Sequence, residues 1–369
     1  MNRRAGLWLG IAMVLLLGCN GPTFAQEEGA TIRREQLIYR LDDLDGLEIL
    51  AATAQIVEQD QGKTLELDGM VLIPDLELEN AGIEVEIYAP GPCYPGIVFR
   101  FADLQAFELA YAVPAVSGQC DAIQYDPVFN RSNTWQLHTG PAYQKQATVP
   151  TGEWFALRID VVGNRASIQV GNQPPLVVET LSHGSRAGRI GLWTFRPARF
   201  RNLRVMSPRS LDELAGESPK APCGTIDAWL LQGTGGVTCE PNGVLNLNRY
   251  RASADKEARL VRRFSLDDDT DLELTFGYSD ELRLFLDGEL LYVGGNTFSG
   301  FENYEARGWV RPESNRLVRR TGAGDHTLEA ELRATEPFGW GLIVKLGGGD
   351  VTFLPVEEDS SKVTGQKLR

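Results

Sequence analysis

Leu282-Arg283-Leu284-Phe285-Leu286-Asp287-Gly288-Glu289-Leu290-Leu291-Tyr292-Val293 reads as two extended runs joined by a two-residue turn. Asp-Gly supplies two residues that tolerate positive φ, which the tightest hairpin turns require, and the flanking runs are apolar and aromatic. The stretch predicts a β-hairpin. Upstream, Leu272-Glu273-Leu274-Thr275-Phe276 alternates apolar and polar side chains, as a strand with one wet face does. Downstream, residues 326–332 and 340–346 carry late strands. Residues 223–356 are therefore expected to form an all-β unit.

The same texture fills residues 26–206. Thr64-Leu65-Glu66-Leu67, then Asp68-Gly69, then Val71-Leu72-Ile73 predicts another hairpin. Ile83-Glu84-Val85-Glu86-Ile87-Tyr88 alternates, and Ile97-Val98-Phe99-Arg100-Phe101 and Phe107-Glu108-Leu109-Ala110-Tyr111 follow. Residues 154–161 and 166–170 join through Gly163-Asn164, and residues 190–195 and 200–205 complete the set. No long stretch has helical periodicity. Many short strands at this spacing mean a β-sandwich or jelly roll. The fold class expected is all-β: two β-sandwich (jelly-roll) domains joined by a short linker. The linker is residues 207–222, with Pro208, Gly216, Pro219 and Pro222 and a short helix expected around Leu211 to Leu214. Residues 357–369 are polar and read as a disordered tail.

Residues 1–25 read as a secretory signal: a basic start at Arg3 and Arg4, then an apolar run from Ala5 to Gly18 too short to span a bilayer comfortably. Two cleavage patterns compete. Thr23-Phe24-Ala25 before Gln26 resembles a signal-peptidase site, and Leu16-Leu17-Gly18-Cys19 resembles a lipobox that would lipidate Cys19 and points to a bacterial source. The chain is expected to be exported: periplasmic, extracellular or lipid-anchored at the envelope. Either reading removes Cys19 from the thiol count and leaves Cys93, Cys120, Cys223 and Cys239. Four cysteines in an exported chain allow three connectivities, of which proximity favours Cys93–Cys120 and Cys223–Cys239, and buried free thiols are the alternative. The 369-residue chain carries a formal charge of −14. That acidity makes nucleic acid and anionic membrane surfaces poor partners, so a membrane enters only through an anchor at Cys19.

The first unit resembles the concanavalin A-like lectin/glucanase superfamily, in its laminin-G-like and 3-keto-disaccharide hydrolase type. The resemblance rests on Tyr94-Pro95-Gly96-Ile97-Val98-Phe99-Arg100, on residues 107–111, 152–161 and 164–170, and on Gly188-Arg189-Ile190-Gly191-Leu192-Trp193 and residues 200–205. The second unit looks like a galactose-binding-like jelly roll through residues 276–280, 284–288 and 338–342. The resemblance implies a jelly roll that hosts lectins, hydrolases or adhesion modules, and so does not choose among them.

No HExxH, GxSxG, Walker loop or dinucleotide fingerprint occurs. His183-Gly184-Ser185 lacks an elbow pattern. Glu84 and Glu86 share a strand face, but the carboxylate strand of the glucanases is absent, so a solvated face is the better reading. Asp267, Asp269 and Asp271 have the start of an EF-hand spacing, but Leu272 and Tyr278 stand where Gly and Glu are needed. No cofactor is expected, and a structural calcium has no motif behind it. The weak catalytic candidates are His138, Asp126, Glu108 and Asp121.

The most informative stretch is 121–146, dense in amide, hydroxyl and aromatic side chains. Aromatic faces and planar amides or Arg are what sugars need, for stacking and for paired hydrogen bonds. Tyr125, Asn130, Arg131, Asn133, Trp135, Gln136, His138 and Tyr143 are the expected ligand residues. The competing reading is a long loop that satisfies itself, with Trp135 and Tyr125 plugging the core. The function expected is binding of a glycan or glycoconjugate, or of the cell-envelope surface, without catalysis. The alternatives are a hydrolase of glycosides or 3-keto-glycosides working through the first unit, and a structural or adhesive envelope module.

Overall fold

The computed structural model describes residues 36–59, 62–251 and 257–356. The signal region with Cys19 and the tail 357–369 lie outside these. The described residues hold strands and short 3-10 turns, and no helix among them is long and apolar enough to cross a membrane. The chain is all-β and builds β-sandwich, jelly-roll layers, because its apolar residues recur with period two.

In the first unit the strands run in the order Leu176–Val178, Arg165–Val170, Trp154–Val162, Ala81–Tyr88, Gly188–Met206, Gly96–Asp103, Ala106–Ala112, Ile123–Tyr125 and Gln144–Lys145. Gly188–Met206 serves both layers. Its first half pairs with Gly96–Asp103, through Leu192↔Ile97 and Trp193↔Gly96. Its second half pairs with Ala81–Tyr88, through Phe200↔Ile87 and Val205↔Ile83. A register shift between Thr194 and Ala198, against the long strand Gly62–Leu78, marks the corner and pushes Phe195 and Arg196 outward. Ile83, Val85, Ile87, Ile97, Phe99, Leu192 and Phe200 fill the space between the layers. Glu84 and Glu86 lie on the opposite face and are spent on arginines: Arg204 Nη1 to Glu84 Oε1 at 2.9 Å and Arg201 Nε to Glu86 Oε2 at 2.7 Å.

The second unit has two sheets. One runs Gly235–Thr238, Ala228–Leu231, Glu257–Leu266, Gly324–Arg333, Glu281–Leu286, Glu289–Gly295, and the other Leu245–Asn246, Gly341–Gly347, Thr270–Ser279, Asn315–Thr321. Trp229, Phe264, Phe276, Tyr278 and Trp340 fill its core. The 282–293 hairpin forms as expected: Leu286 faces Glu289, with Asp287 at φ 51° and Gly288 at φ 80°.

Three local expectations change. Asp68-Gly69 is not a turn; both lie inside the continuous strand Gly62–Leu78. Gly69 (φ +122°) sits at a bulge against Glu48–Gln59, where a Cβ would fall 2.5 Å from the Ala51 Cα. Residues 211–214 form no helix; Leu211 is buried, and its carbonyl and that of Leu214 accept Arg165. The four cysteines are free thiols rather than two disulfides. Cys93 points into the first core while Cys120 is exposed on a loop, and the Cys239 thiol donates to the Ile226 carbonyl at 3.3 Å. Burial pushes the Cys93 and Cys239 thiols up to about 12, which leaves them inert.

Candidate functional site

The stretch 121–146 is where the two units meet. Tyr125 is fully buried, donating to Glu108 Oε2 at 2.6 Å and accepting the Ser182 N–H at 2.7 Å. Tyr143 stacks on it with ring centroids 6.2 Å apart, and His138 packs edge-on against both rings. Gln136 is buried between the units: its Oε1 accepts Ser279 Oγ at 2.8 Å and its Nε2 donates to the Arg307 carbonyl at 3.2 Å. Asn130 Nδ2 donates to the Asn248 carbonyl at 2.6 Å. Half-buried Trp135 meets Phe298 and Phe338 of the second unit. Leu137, Val244, Val310 and Ile343 form a small apolar seam beside them. Asn133 turns inward to Asp126, and only Arg131 is freely exposed. The amide and aromatic density that reads as a sugar site is thus spent on joining two β-sandwiches. An interface between sandwiches needs the same side chains, because strand ends and loops bring unpaired backbone groups with them.

The four weak catalytic candidates are all buried, and they divide. Glu108 faces inward, held by Tyr125 and by the His183 N–H at 2.9 Å, and burial raises its pKa. Burial lowers the pKa of His138, which shares its Nδ1 with Thr134. Burial also lowers His183, to about 3, against Phe129, and Ser185 donates to Glu79, so His183 and Ser185 make no nucleophilic pair. Asp121 and Asp126 turn to the other side of the sheet. Asp126 accepts the Thr134 N–H at 2.7 Å, Asn133 Nδ2 at 2.8 Å and the Tyr111 hydroxyl, yet full burial pushes its carboxyl up to about 7. Among the described residues no group of three His, Cys, Asp or Glu is placed to hold a metal ion.

That other side is the better candidate. Period-two alternation puts Ile97, Phe99, Ala110 and Leu192 into the sandwich core, so Val98, Leu109, Tyr111 and Trp193 stand on the outer face. This face is also apolar: Met70, Leu72, Val98, Phe101, Phe107 and Leu109 pack there under Tyr94 and Trp193. Four rings run across it in contact. Phe195 lies 5.7 Å from Tyr94, Tyr94 6.2 Å from Tyr111, and Tyr111 5.6 Å from Trp193. Phe195 is 55% exposed, Tyr94 and Trp193 are half-buried, and Tyr111 between them is buried. The second unit closes one end. Its Phe301 stands 6.3 Å from Tyr94, and its Arg307, fully buried, pairs with Asp121 and lies over Phe301, Tyr304 and Trp309. An open row of rings backed by an apolar sheet can stack the C–H faces of a sugar chain.

The sequence reading missed Phe195, Arg196 and Arg307, and used Tyr94 and Trp193 only for fold. Runs such as Ile97-Val98-Phe99 and Ile190-Gly191-Leu192-Trp193 are apolar at successive positions, the mark of a strand covered on both faces. No signal in the chain shows that a loop two hundred residues away ends the row.

No family model matches the chain, and no curated protein matches it. Among solved structures it is similar to a carbohydrate-binding module, CBM66, from Bacillus subtilis, at 17% identity and TM-score 0.35 over 44% of this chain and 96% of that one. It is also similar to a Bacillus subtilis protein of unknown function with a galectin-like fold, at 9% identity and TM-score 0.37 over 50% and 99%. A third is the Bacillus licheniformis beta-glucanase, at 10% identity and TM-score 0.33 over 50% and 100%.

Proposed function

We propose that the chain is an exported glycan- or envelope-surface-binding protein without catalysis, and that its ligand lies on the ring row Phe195, Tyr94, Tyr111 and Trp193. One observation carries this reading: an aromatic row, exposed at Phe195, half-exposed at Tyr94 and Trp193 and joined through buried Tyr111, on a sheet face that is apolar yet is not the core of the sandwich. The signal-like start at residues 1–25 supports export. Mass spectrometry of the mature N-terminus separates free Gln26 from lipidated Cys19.

Affinity electrophoresis through gels holding single polysaccharides tests the binding. Retardation is expected in at least one gel. Phe195→Ala removes an exposed ring without opening the core and is expected to weaken binding about tenfold, the effect of roughly 1.4 kcal/mol of lost stacking. Trp193→Ala weakens it at least as much. Trp135→Ala, at the junction, leaves retardation as in the native protein. An unretarded native protein, or a Phe195→Ala protein that migrates as the native one does, sinks the assignment.

One observation favours a hydrolase as the second reading: the Asp126 carboxyl, pushed up to about 7 by burial, meets the Tyr111 hydroxyl, through which a substrate on the row would have to be protonated because Asp126 itself is fully buried. Glycoside release that Asp126→Asn abolishes, with the fold intact by circular dichroism, would move the function to catalysis.

A further inference from the structure

The charge around the ring row runs against that of the chain. The protein is acidic, and arginines near the row are spent on carboxylates: Arg199 on Glu66, Arg189 on Glu48 and Arg307 on Asp121. Two are not. Arg196 stands exposed at the strand corner, its guanidinium 5.8 Å from the Phe195 ring centre and in no ion pair among the described residues, while its backbone N–H donates to Asp68 Oδ1 at 3.0 Å and so sets one carboxylate beside it. Arg311 of the second unit lies 4.2 Å over the Trp309 ring, also without a carboxylate partner among them. A guanidinium laid on a ring keeps its edge N–H fork free for a planar or tetrahedral anion.

Ring contacts connect the two cations: Phe195 meets Tyr94 at 5.7 Å, Tyr94 meets Phe301 at 6.3 Å, Arg307 lies over Phe301 and Trp309, and Arg311 lies over Trp309. Arg311 also lines a groove of ≈ 840 Å³ with Gln144, Lys145, Gln146 and Cys120, in which Glu217 is the one lining carboxylate. Lys145 has no carboxylate partner among the described residues either. The net negative charge of the molecule is screened beyond about 10 Å at 0.1 M salt, so contact charges decide what is held.

We propose that this surface selects an acidic glycan, one bearing carboxylate or sulfate groups, with its sugar faces on Phe195, Tyr94 and Trp193 and its anions on Arg196 and Arg311. The ligand surface is then composite, with a ring row from the first unit and a cation from the second. The proposal rests on the glycan-binding reading above and adds the ligand class to it.

Affinity electrophoresis of the mature chain against polygalacturonate, chondroitin sulfate, fully methyl-esterified polygalacturonate, laminarin and poly-glutamate tests it. Polygalacturonate or chondroitin sulfate, or both, is expected to bind about tenfold or more tighter than the ester and laminarin. Arg196→Gln combined with Arg311→Gln is expected to bring that affinity down to the level of the ester, and added salt does the same to the native protein. Because Arg196 is exposed, Arg196→Gln alone keeps the fold and is expected to show part of the loss. If laminarin or the ester binds as well as the acidic polymers, the selectivity proposal falls and the glycan-binding reading stands. If the double variant holds the acidic polymer unchanged, the two arginines are wrong. If poly-glutamate binds as tightly as the acidic glycans, charge alone is read and the proposal is overturned. If no polysaccharide binds, both readings fall.

Discussion

Arg307→Met is expected to destabilise the protein by about 3–5 kcal/mol, the cost of breaking a buried ion pair by removing one partner. Arg307 is fully buried, and Asp121 is nine-tenths buried across the junction. The guanidinium also lies 5.1 Å from the Trp309 ring centre, and the Arg307 carbonyl receives Gln136. Methionine keeps the stem and loses the charge, so Asp121 is left in the junction with one oxygen that already has no hydrogen-bond partner. Burial raises the Asp121 pKa and Arg307 opposes that rise. Without the arginine the carboxyl takes a proton more readily, so the loss is smaller at acid pH and grows toward pH 8. Replacing both partners, Arg307→Met with Asp121→Leu, is expected to recover most of the loss, because no charge is then left behind. Denaturant titration at two pH values measures all of this. A single variant within about 1 kcal/mol of the native protein at pH 8, or a double variant no better than the single, contradicts it.

The second large effect is a pH dependence set by Asp126. Its carboxyl has an ordinary pKa of 3.8 and is pushed up to about 7 by complete burial. Between those values the folded chain keeps the proton and the unfolded chain has lost it. Folding stability therefore falls as pH rises through the window, and the contribution of Asp126 is fully present only below about pH 4. At about 1.4 kcal/mol per pH unit, the whole window is worth at most roughly 4 kcal/mol. His183, whose pKa burial lowers to about 3, works in the opposite sense below pH 6.5, where the unfolded chain binds the extra proton. A native curve alone mixes these with Glu108 and Asp121, raised like Asp126, and His138, lowered like His183. The difference between native and Asp126→Asn curves isolates Asp126: the native protein is expected to lose stability relative to the variant from pH 4 to pH 7. The asparagine amide meets the Asn133 and Thr134 donors, which shifts the intercept and leaves the slope as the readout. A difference that is flat across that range contradicts the assignment.

The strands were legible because each is a local matter. Ile83 to Ile87 shows its buried face by alternation, and Asp287-Gly288 shows its turn by the two residues that tolerate positive φ. Asp68-Gly69 misled for a related reason. The same dipeptide serves a turn or a bulge, and only the strand Glu48–Gln59 lying alongside selects the bulge. The cysteine pairs misled because sequence spacing does not report side-chain direction, and Cys93 is buried in the first core while Cys120 is exposed.

The candidate site was illegible for a deeper reason. Residues 121–146 carry polar and aromatic groups that serve a ligand or a neighbouring domain equally well, and composition cannot say which surface will meet them. In the fold Gln136 meets Ser279 and Trp135 meets Phe298, so the stretch becomes a joint. The ring row draws Tyr94, Tyr111 and Trp193 from three separate strand neighbourhoods and Phe301 from the other unit.

Residue order alone commits this chain to two runs of β-strands, each with its own buried stripe, because period-two alternation and Asp-Gly turns act between near neighbours. Which apolar face stays open is settled later, when Gly188–Met206 turns its corner at Phe195 and the second unit lays Arg307 against Asp121. Those contacts join residues more than a hundred positions apart, and only the packed molecule brings them within reach of each other.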